Sequence, residues 1–405
     1  MITEELRNLI AKSLENLGLE AKEIHPDEPF GRVHLEHPED MSHGDYSTNV
    51  AMVLAKESKT NPKELAEKII RDLEARLPSE PGSLASFLDK IEVAGPGFIN
   101  FYLSKEFFVE SLKEILDSKS SFGKNNLGNE RKVILEYSSP NIAKPFTVGH
   151  LRSTIIGDAI GNILSFSGYQ VIRDNHIGDW GTQFGKLIVA ILKWNGMELL
   201  SKSLHPIKVL VDLYVKFHEE AEKNPELEEE ARQWFAKLEK KDSEATSIWK
   251  KCVAISLEEF KRIYKRLKVS DFDTMLGESY FEDRMADVLG DAKQKGLMQE
   301  SEGAHLIFFP EKKKLPPLML LKKDGSSLYA LRELATDRFR KEKYGAGISI
   351  INEVGSEQSQ YFQQIFEAEK MLGYFKADER THVAHGLYRF KEGKMSTRKG
   401  NVIWL

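Results

Sequence analysis

The sequence contains almost no cysteine: Cys252 is the one cysteine among 405 residues. A lone cysteine excludes an intrachain disulfide framework and a cysteine-based zinc cluster, and it is typical of a reducing compartment. The first residues, Met-Ile-Thr-Glu-Glu-Leu, contain neither the basic leader nor the apolar core of a signal peptide. We therefore expect a cytoplasmic protein that holds no structural metal.

Long apolar runs and a large charge of one sign are also missing. The longest apolar run, from Leu187 to Leu192, is far shorter than a segment that spans a membrane. The formal net charge is −5, so the chain as a whole does not attract nucleic acid, and any RNA contact has to rest on local basic patches. We expect a monomer without a membrane partner.

The segment from Ser138 to His150 lies between a short apolar strand and a long amphipathic helix. The strand is predicted over 132–137, apolar residues repeat at helical spacing after the segment, and a second strand is predicted over 169–173. Strand, helix and strand at this spacing form the βαβ unit of a parallel sheet, whose ligand crevice lies beyond the carboxyl ends of the strands. The segment is therefore predicted to line that crevice.

The chemistry of this segment favours phosphate binding. The start of a helix offers unpaired backbone N–H groups and the positive end of a dipole. Gly149 lets a phosphate approach closely, His150 can donate to a phosphate oxygen, and Lys144 can add positive charge opposite the reacting phosphorus. A bare Gly-His pair also suits an ordinary helix start, so the segment alone predicts a nucleotide site and leaves the reaction open.

Three blocks of sequence resemble one family. The first is similar to the first signature of class I aminoacyl-tRNA synthetases, in the form found in arginyl-tRNA synthetases; it reads Glu-Tyr-Ser-Ser-Pro-Asn-Ile-Ala-Lys-Pro-Phe-Thr-Val-Gly-His-Leu-Arg-Ser-Thr and ends at Thr154. The second begins at Asn175 and reads Asn-His-Ile-Gly-Asp-Trp-Gly-Thr-Gln-Phe-Gly. The third begins at Lys394, resembles the mobile second signature and reads Lys-Met-Ser-Thr-Arg-Lys-Gly-Asn. Three blocks in the family's order are far more specific than one.

The resemblance implies ATP-dependent activation of L-arginine to arginyl-adenylate, followed by transfer to the 3′ end of tRNA(Arg). The implied partners are L-arginine, tRNA(Arg) and ATP, which enters as its Mg²⁺ complex. The implied catalytic residues are His150, Lys144 and Lys394. The implied ATP-binding residues are Thr147, Gly149, His150, Met395, Ser396 and Lys399. Two other classes stay open: a catalytically silent, synthetase-like RNA-binding protein, and another nucleotidylyltransferase.

A site selective for an arginine side chain needs carboxylates and other acceptors in the plane of the guanidinium. The residues that match the family's arginine-binding positions are Glu136, Ser139, Asn141, Tyr329, Glu333 and Gln358. Asn141 matches the position that handles the α-amino group. Core packing beside Leu328 is the alternative role for Tyr329.

The sequence departs from the family pattern at three places. Glu333 stands where the family has aspartate, and one extra methylene moves the carboxylate by ~1 Å or more. Thr147 replaces a histidine, although its hydroxyl can still donate to a phosphate. Thr397 and Arg398 stand where many class I enzymes carry a second lysine, and Lys144 is expected to supply that charge.

The predicted fold class is α/β: the Rossmann-type parallel sheet of a class I synthetase, with an N-terminal α+β domain and a helical insertion. The predicted divisions are the α+β domain over 1–115, a linker over 116–130, the first half of the catalytic domain over 131–195, the helical insertion over 196–270 and the second half over 271–405. Within the last region, strands are predicted over 318–322, 328–331 and 348–352.

The N-terminal domain and the end of the chain carry two further expectations. The segment around Phe98 and Asn100 resembles the edge of the family's added N-terminal domain, which grips the tRNA D-loop. This implies that Phe98 stacks on an extruded base and that Asn100 binds the edge of the base, whereas burial is the alternative for Phe98. Because the family continues beyond the mobile signature into an anticodon-binding domain, we expect a truncated form with poor tRNA affinity.

Overall fold

The computed structural model describes residues 2–19, 33–77, 83–390, 393–394, 403 and 405. The chain divides into two compact units, Met1–Gly123 and Lys124–Leu405. The described residues form one hydrophobic core in the first unit and two in the second. Among the residues described, no helix is both long enough and apolar enough to cross a membrane.

The first unit is α+β. Its helices are α1 (Ile2–Asn16), α2 (Val50–Ser58), α3 (Pro62–Arg76) and α4 (Lys105–Ser118). Its strands are β1 (Tyr46–Thr48), β2 (Leu88–Ala94) and β3 (Phe98–Leu103), which form an antiparallel sheet in the order β1-β3-β2. Leu6, Ile10 and Leu14 recur at helical spacing along α1 and are fully buried, so this apolar face anchors α1 on the core.

The second unit contains the remaining described helices and strands. Its helices are α5 (Val148–Phe166), α6 (Gln183–Lys193), α7 (Gly196–Lys202), α8 (Pro206–Lys223), α9 (Glu226–Glu239), α10 (Ser243–Leu267), α11 (Met285–Gln294), α12 (Tyr329–Tyr344) and α13 (Ser359–Leu372). Its strands are β4 (Lys132–Glu136), β5 (Gln170–Asp174), β6 (Met298–Ser301), β7 (Ala304–Ile307), β8 (Leu318–Leu321), β9 (Ser349–Gly355), β10 (Arg380–His385), β11 (Arg389–Phe390) and β12 (Gly393–Lys394).

Four parallel strands form the central sheet of the second unit, in the order β10-β9-β4-β5. The chain moves from β4 to β5 on one side and later returns to add β9 and β10 on the other. The direction of winding therefore reverses between β4 and β9. In open α/β sheets, ligands bind beyond the carboxyl ends of the strands at such a switch point. The predicted α/β class with a Rossmann-type parallel sheet is confirmed.

Helix α5 lies close to β4 because a glycine faces the sheet. A Cβ placed on Gly157 would lie 2.2 Å from the ring of Tyr137, which follows β4 and is fully buried. No side chain larger than hydrogen fits at this position without moving the helix or the ring. Gly157 thus determines how closely α5, whose first turn belongs to the predicted nucleotide site, approaches the sheet.

Helices α7 to α10 lie within the region predicted as a helical insertion. They pack around a core that includes Leu210, Phe217, Ile248 and Phe260. The division between the two units, after Gly123, falls inside the predicted linker over 116–130. The domain boundaries themselves stay predictions.

The predicted strand over 328–331 is wrong. Leu328 has an extended backbone, but Tyr329 begins α12. Leu331, Leu334 and Ala335 are buried at helical spacing, so the short apolar run is the first turn of an amphipathic helix. A run of four apolar residues fits both a strand and a buried helix, and its length alone does not distinguish them.

Candidate active site

A loop at the switch point connects β4 to α5; it contains Lys144 and Thr147, and the first turn of α5 contains Gly149 and His150. Ser138 and Ser139 adopt positive φ angles of 71° and 40°, which residues other than glycine rarely adopt. The Ser138 N–H donates to Ser153 Oγ at 3.0 Å. The Ser139 N–H donates to Asn175 Oδ1 at 3.1 Å. Side chains of α5 and of the segment after β5 therefore hold the loop in this conformation.

A buried tyrosine near the end of α10 completes this arrangement. The Tyr264 hydroxyl lies 2.8 Å from Ser138 Oγ and accepts a hydrogen bond from Asn175 Nδ2 at 3.0 Å. Burial raises the pKa of Tyr264 to about 12, so its proton remains available to Ser138. Tyr264 is not predicted from the sequence, because it lies 126 positions from Ser138 and no local spacing connects the two residues.

The first turn of α5 holds His150 as a neutral ring. The Thr147 N–H donates to His150 Nδ1 at 3.0 Å, and the Thr147 hydroxyl lies 3.1 Å from the same nitrogen. Because Nδ1 accepts, the ring proton is on Nε2. Burial lowers the pKa of His150 to about 4, and the charge of Lys144 adds to the effect. His150 is therefore a neutral Nε2–H donor at pH 7.

The other predicted phosphate-binding residues lie around this ring. Thr147 caps α5, and while its hydroxyl donates to His150 it has no second proton for a phosphate. Gly149 is the second residue of α5, where helix N–H groups are unpaired within the helix. Lys144 is half-buried, and its positive charge is close enough to act to lower the pKa of both His150 and Glu278. The direct contacts of all three with ATP stay predictions.

A buried network of charges lies at the carboxyl ends of β4 and β5. Arg340 of α12 pairs with Glu136 at 2.6 Å and also with Asp174. Arg340 and Arg380 bind the two carboxylate oxygens of Asp337 at 2.7 and 2.6 Å. All five side chains are buried. Glu136, predicted to bind the amino acid, is therefore fixed by Arg340.

Glu333 lies one turn before Asp337 on α12 and is short of a partner. Its Oε1 is buried and has no hydrogen-bond partner among the described residues. Burial raises the pKa of Glu333 well above its usual range, and the neighbouring carboxylates of Glu136 and Asp337 raise it further. Burial and Glu333 likewise raise the pKa of Tyr361, on α13. These shifts indicate a pocket with an excess of negative charge.

Two other predicted arginine-binding residues lie at the surface of the same elements. Tyr329 begins α12, one turn before Glu333, and is 60% exposed, so core packing is not its role. Gln358 is exposed and immediately precedes α13. The structure places Tyr329 and Glu333 on one face of α12, as their four-residue spacing requires.

The loop side of the pocket contains Ser139 and Asn141. Ser139 Oγ is buried and has no hydrogen-bond partner among the residues described here. Asn141 forms an isolated parallel β-bridge with Gly178 of the second block, in which the backbone groups of the residues on either side of Asn141 make the hydrogen bonds to Gly178. A Cβ on Gly178 would lie 2.4 Å from Asn141 Oδ1, so this glycine makes room for the Asn141 side chain. The first two sequence blocks thus form one surface.

Glu278, which begins a short 3₁₀ segment over Glu278–Arg284, is a second site residue that the sequence does not predict. Burial raises the pKa of Glu278 to about 7, and Asp179 and Glu282 raise it while Arg332 and Lys144 oppose the shift. The Arg332 guanidinium is 3.4 Å from its carboxylate. The Gly-Glu-Ser sequence around it carries no motif by itself, so only the fold brings Glu278 near the loop.

The predicted mobile signature is only partly described. Lys394 belongs to β12, which pairs with Arg389 of β11. Met395, Ser396 and Lys399 lie outside the described residues. Within the described ranges, no group of three His, Cys, Asp or Glu side chains is suited to a metal ion.

The first unit has its own candidate site. A cavity of about 500 Å³ is lined by Phe98 and Asn100, together with Glu36, Glu39 and His43. Asn100 is buried; its Oδ1 accepts from the Ser47 hydroxyl at 2.8 Å, and its side chain also hydrogen-bonds to Tyr102. Phe98 is half-buried, so its burial alone does not decide between the two roles predicted from the sequence, stacking on a tRNA base and packing in the core.

Two family models match the chain. The model described as "tRNA synthetases class I (R), catalytic domain" matches residues 111–405. The model described as "Arginyl tRNA synthetase N terminal domain" matches residues 4–103. Together they cover both units.

Relatives and solved structures agree with these matches. The arginine–tRNA ligase of Halothermothrix orenii is 43% identical over 404 residues, and that of Clostridium kluyveri is 44% identical over 375. The aligned regions cover 99% and 92% of this chain but only 67% and 63% of those proteins, so the chain spans about two thirds of their length. The Plasmodium falciparum arginyl-tRNA synthetase structure has a TM-score of 0.71 at 25% identity and covers 95% of this chain and 65% of its own. The Thermus thermophilus enzyme, with a TM-score of 0.68 at 23% identity, covers 100% of this chain and 68% of its own and supports the fold alone.

Proposed function

This chain belongs to the arginyl-tRNA synthetase family, and we propose that it activates L-arginine with MgATP and transfers the arginyl group to the 3′ end of tRNA(Arg). The predicted family membership is confirmed. The two other classes left open by the sequence, a silent RNA-binding protein and another nucleotidylyltransferase, are not favoured.

The excess of carboxylates around α12 carries the proposal. Arg340 and Arg380 face a larger set of buried carboxylates, namely Glu136, Asp174, Glu333, Asp337 and Glu369. A buried carboxylate without a cation is costly, and it shifts its pKa or recruits a partner. A substrate guanidinium, planar and permanently charged, would supply the missing cation and donate to Glu333 Oε1. We infer that the pocket selects a cationic amino acid.

The residues of the nucleotide loop suit the first half-reaction. The arginine carboxylate attacks the α-phosphorus of ATP, the bond to the β-phosphate oxygen breaks, and pyrophosphate leaves. His150 donates from Nε2 to a phosphate oxygen, and Lys144 stabilises the charge that develops there. Because His150 Nδ1 already accepts a hydrogen bond, the neutral ring carries its proton on Nε2. His150 can therefore donate to a phosphate oxygen without first taking a proton from solvent. In the second half-reaction, the 2′-hydroxyl of the tRNA attacks the arginyl carbonyl and AMP leaves.

The remaining site residues have narrower proposed roles. Ser139 and Asn141 bind the amino acid backbone, with Asn141 at the α-amino group, and Tyr329 and Gln358 flank the guanidinium. Phe98 and Asn100, which line the same cavity of the first unit, bind a tRNA base. We place the reaction in the cytoplasm and the protein as a monomer.

ATP–pyrophosphate exchange with arginine, with and without tRNA(Arg), tests the proposal. We expect arginine-dependent exchange in the wild type and a KM for arginine raised about 100-fold in Glu333→Gln, with the KM for ATP unchanged, because the guanidinium loses a buried partner. Glu300→Gln, an exposed carboxylate on β6, is the matched control. Exchange that depends on another amino acid, or an unchanged KM in Glu333→Gln, would overturn the assignment.

A further inference from the structure

A groove beside the nucleotide loop has no part in the chemistry described above. It has a volume of about 600 Å³, within the range of ~300–1,000 Å³ that is typical of ligand sites. It lies between the last turns of α10 and the segment 268–275. Its charged lining consists of Lys261, Lys265, Lys268 and Asp271, so the lining is positive although the whole chain is negative.

Among the described residues, the three lysines lack the ion pairs that most lysines on the neighbouring helices form. Most lysines on the neighbouring helices are neutralised by a carboxylate, in the pairs Lys193–Glu230, Lys202–Glu198, Lys208–Asp212 and Lys223–Glu220. Lys261, Lys265 and Lys268 are exposed, and none forms an ion pair with a described residue. The negative end of the α10 dipole accounts for Lys265 in the last turn but not for Lys261 further up the helix.

Aromatic side chains form one wall of the groove. Phe272 is half-buried and packs on both Tyr264 and Tyr137, with ring centroids 5.1 and 4.7 Å away. An aromatic face beside a row of ammonium groups is the combination that binds single-stranded nucleic acid, because bases stack while phosphates meet the cations. The same Tyr264 contacts Ser138 and Asn175 in the nucleotide loop. One side chain therefore separates the groove from the active site.

We propose that this lysine groove binds the ribose–phosphate backbone of tRNA close to its 3′ end, as the end enters the active site. This inference rests on the proposed function, which requires the 3′ end of tRNA to reach the loop after β4. The lysines supply affinity but no sequence specificity, because phosphates are the same in every nucleotide and carry no sequence information. The exposed part of the Phe272 ring can contact a base of any identity.

Salt-dependent binding of a tRNA(Arg) transcript to the full chain tests the proposal. Each phosphate contact contributes a slope of roughly −0.7 to −0.9 to a plot of log K against log[salt]. In K261Q/K265Q/K268Q we expect the slope to become shallower by about 2 and the affinity at 0.1 M KCl to fall at least tenfold. The variant K261R/K265R/K268R should show the wild-type slope and the wild-type affinity, because it keeps the three positive charges.

The control removes the same charge elsewhere. Lys312, Lys314 and Lys323 are exposed, and each lacks an ion pair with any residue that the structure describes. K312Q/K314Q/K323Q should keep the wild-type slope. Equal slopes in the two glutamine variants would overturn the proposal, as would failure of the wild type to bind the transcript at 50 mM KCl. Arginine-dependent pyrophosphate exchange, measured in parallel, tests the proposed function separately. The proposed function and the role of the groove in tRNA binding can therefore fail independently.

Discussion

At the scale of single residues, the site contains side chains whose pKa values are shifted away from their values in water. His150 is neutral because burial and Lys144 disfavour its charged form. Glu278 and Glu333 have raised pKa values because burial and neighbouring carboxylates disfavour theirs. Such groups destabilise the empty protein and favour a ligand that restores the charge balance. Two of these side chains give direct predictions.

The protonation of His150 can be observed in the native protein. Its pKa of about 4 predicts that nitrogen NMR of histidine-labelled protein shows the Nε2–H tautomer unchanged from pH 8 down to pH 5. His34, which is exposed, is the internal comparison in the same spectra. A titration of His150 with a midpoint between pH 6 and 7 would contradict the lowered pKa that burial and Lys144 give the ring.

Replacing Glu278 by glutamine is expected to stabilise the folded protein by an amount that depends on pH. Its folded-state pKa of about 7 exceeds the ordinary value of 4.5, so the neutral carboxyl stabilises the fold at low pH, and this contribution is lost as the pH rises through 7. Glu278→Gln should therefore unfold with a free energy higher by up to about 3 kcal/mol at pH 8, with little difference at pH 4. Denaturant unfolding at both pH values measures the effect.

The control for this experiment is Glu300→Gln, because Glu300 is exposed on β6. It should leave unfolding unchanged at both pH values. A Glu278→Gln protein that is less stable than the wild type at pH 8 would mean that its pairing with Arg332 outweighs the cost of burial.

At the scale of elements, the close approach of α5 to β4 positions the nucleotide loop. Gly157→Ala would put a methyl group 2.2 Å from the buried Tyr137 ring, and we expect a loss of about 3 kcal/mol or more in the free energy of unfolding. Gly290→Ala, on α11, meets no atom within 4 Å and should stabilise by ~0.5–1 kcal/mol, since alanine favours helix. Urea unfolding of both variants distinguishes them. Equal effects would show that helix propensity, not packing, dominates at Gly157.

The elements also show what a sequence can and cannot predict. β4, β5 and α5 follow from apolar periodicity, and the loop between them follows from its family signature. The strand proposed over 328–331 failed because four apolar residues fit the buried face of α12 equally well. Tyr264 and Glu278 were missed because only tertiary folding brings them to the loop, across 126 positions in the case of Tyr264.

At the scale of the whole second unit, one charge network joins the sheet to the helices that cover it. Arg340 connects β4 and β5 to α12, and Arg380 of β10 connects Asp337 of α12 to Glu369 of α13. Burial raises the pKa of Glu369 well above its usual range, with Asp337 adding to the shift. Because the carboxylates share two arginines, a cation that binds at Glu333 changes the electrostatic field across the entire network.

Arginine binding should therefore release protons. Glu333 is faced by Glu136 from β4, Asp337 and Arg340 from α12, Arg380 from β10 and Tyr361 from α13, and its pKa is raised in the empty site. A bound guanidinium favours ionised Glu333, so its proton leaves and arginine affinity rises with pH until Glu333 is ionised without ligand. Calorimetry with L-arginine at pH 7.5 in phosphate and in Tris should give heats that differ by the number of protons released multiplied by the difference between the two buffers' ionisation enthalpies. L-citrulline, which is neutral, and the Glu333→Gln variant with arginine should both abolish the difference. Equal heats in the two buffers for the wild type with arginine would show that Glu333 is already ionised in the empty pocket, contrary to its buried and unpartnered position.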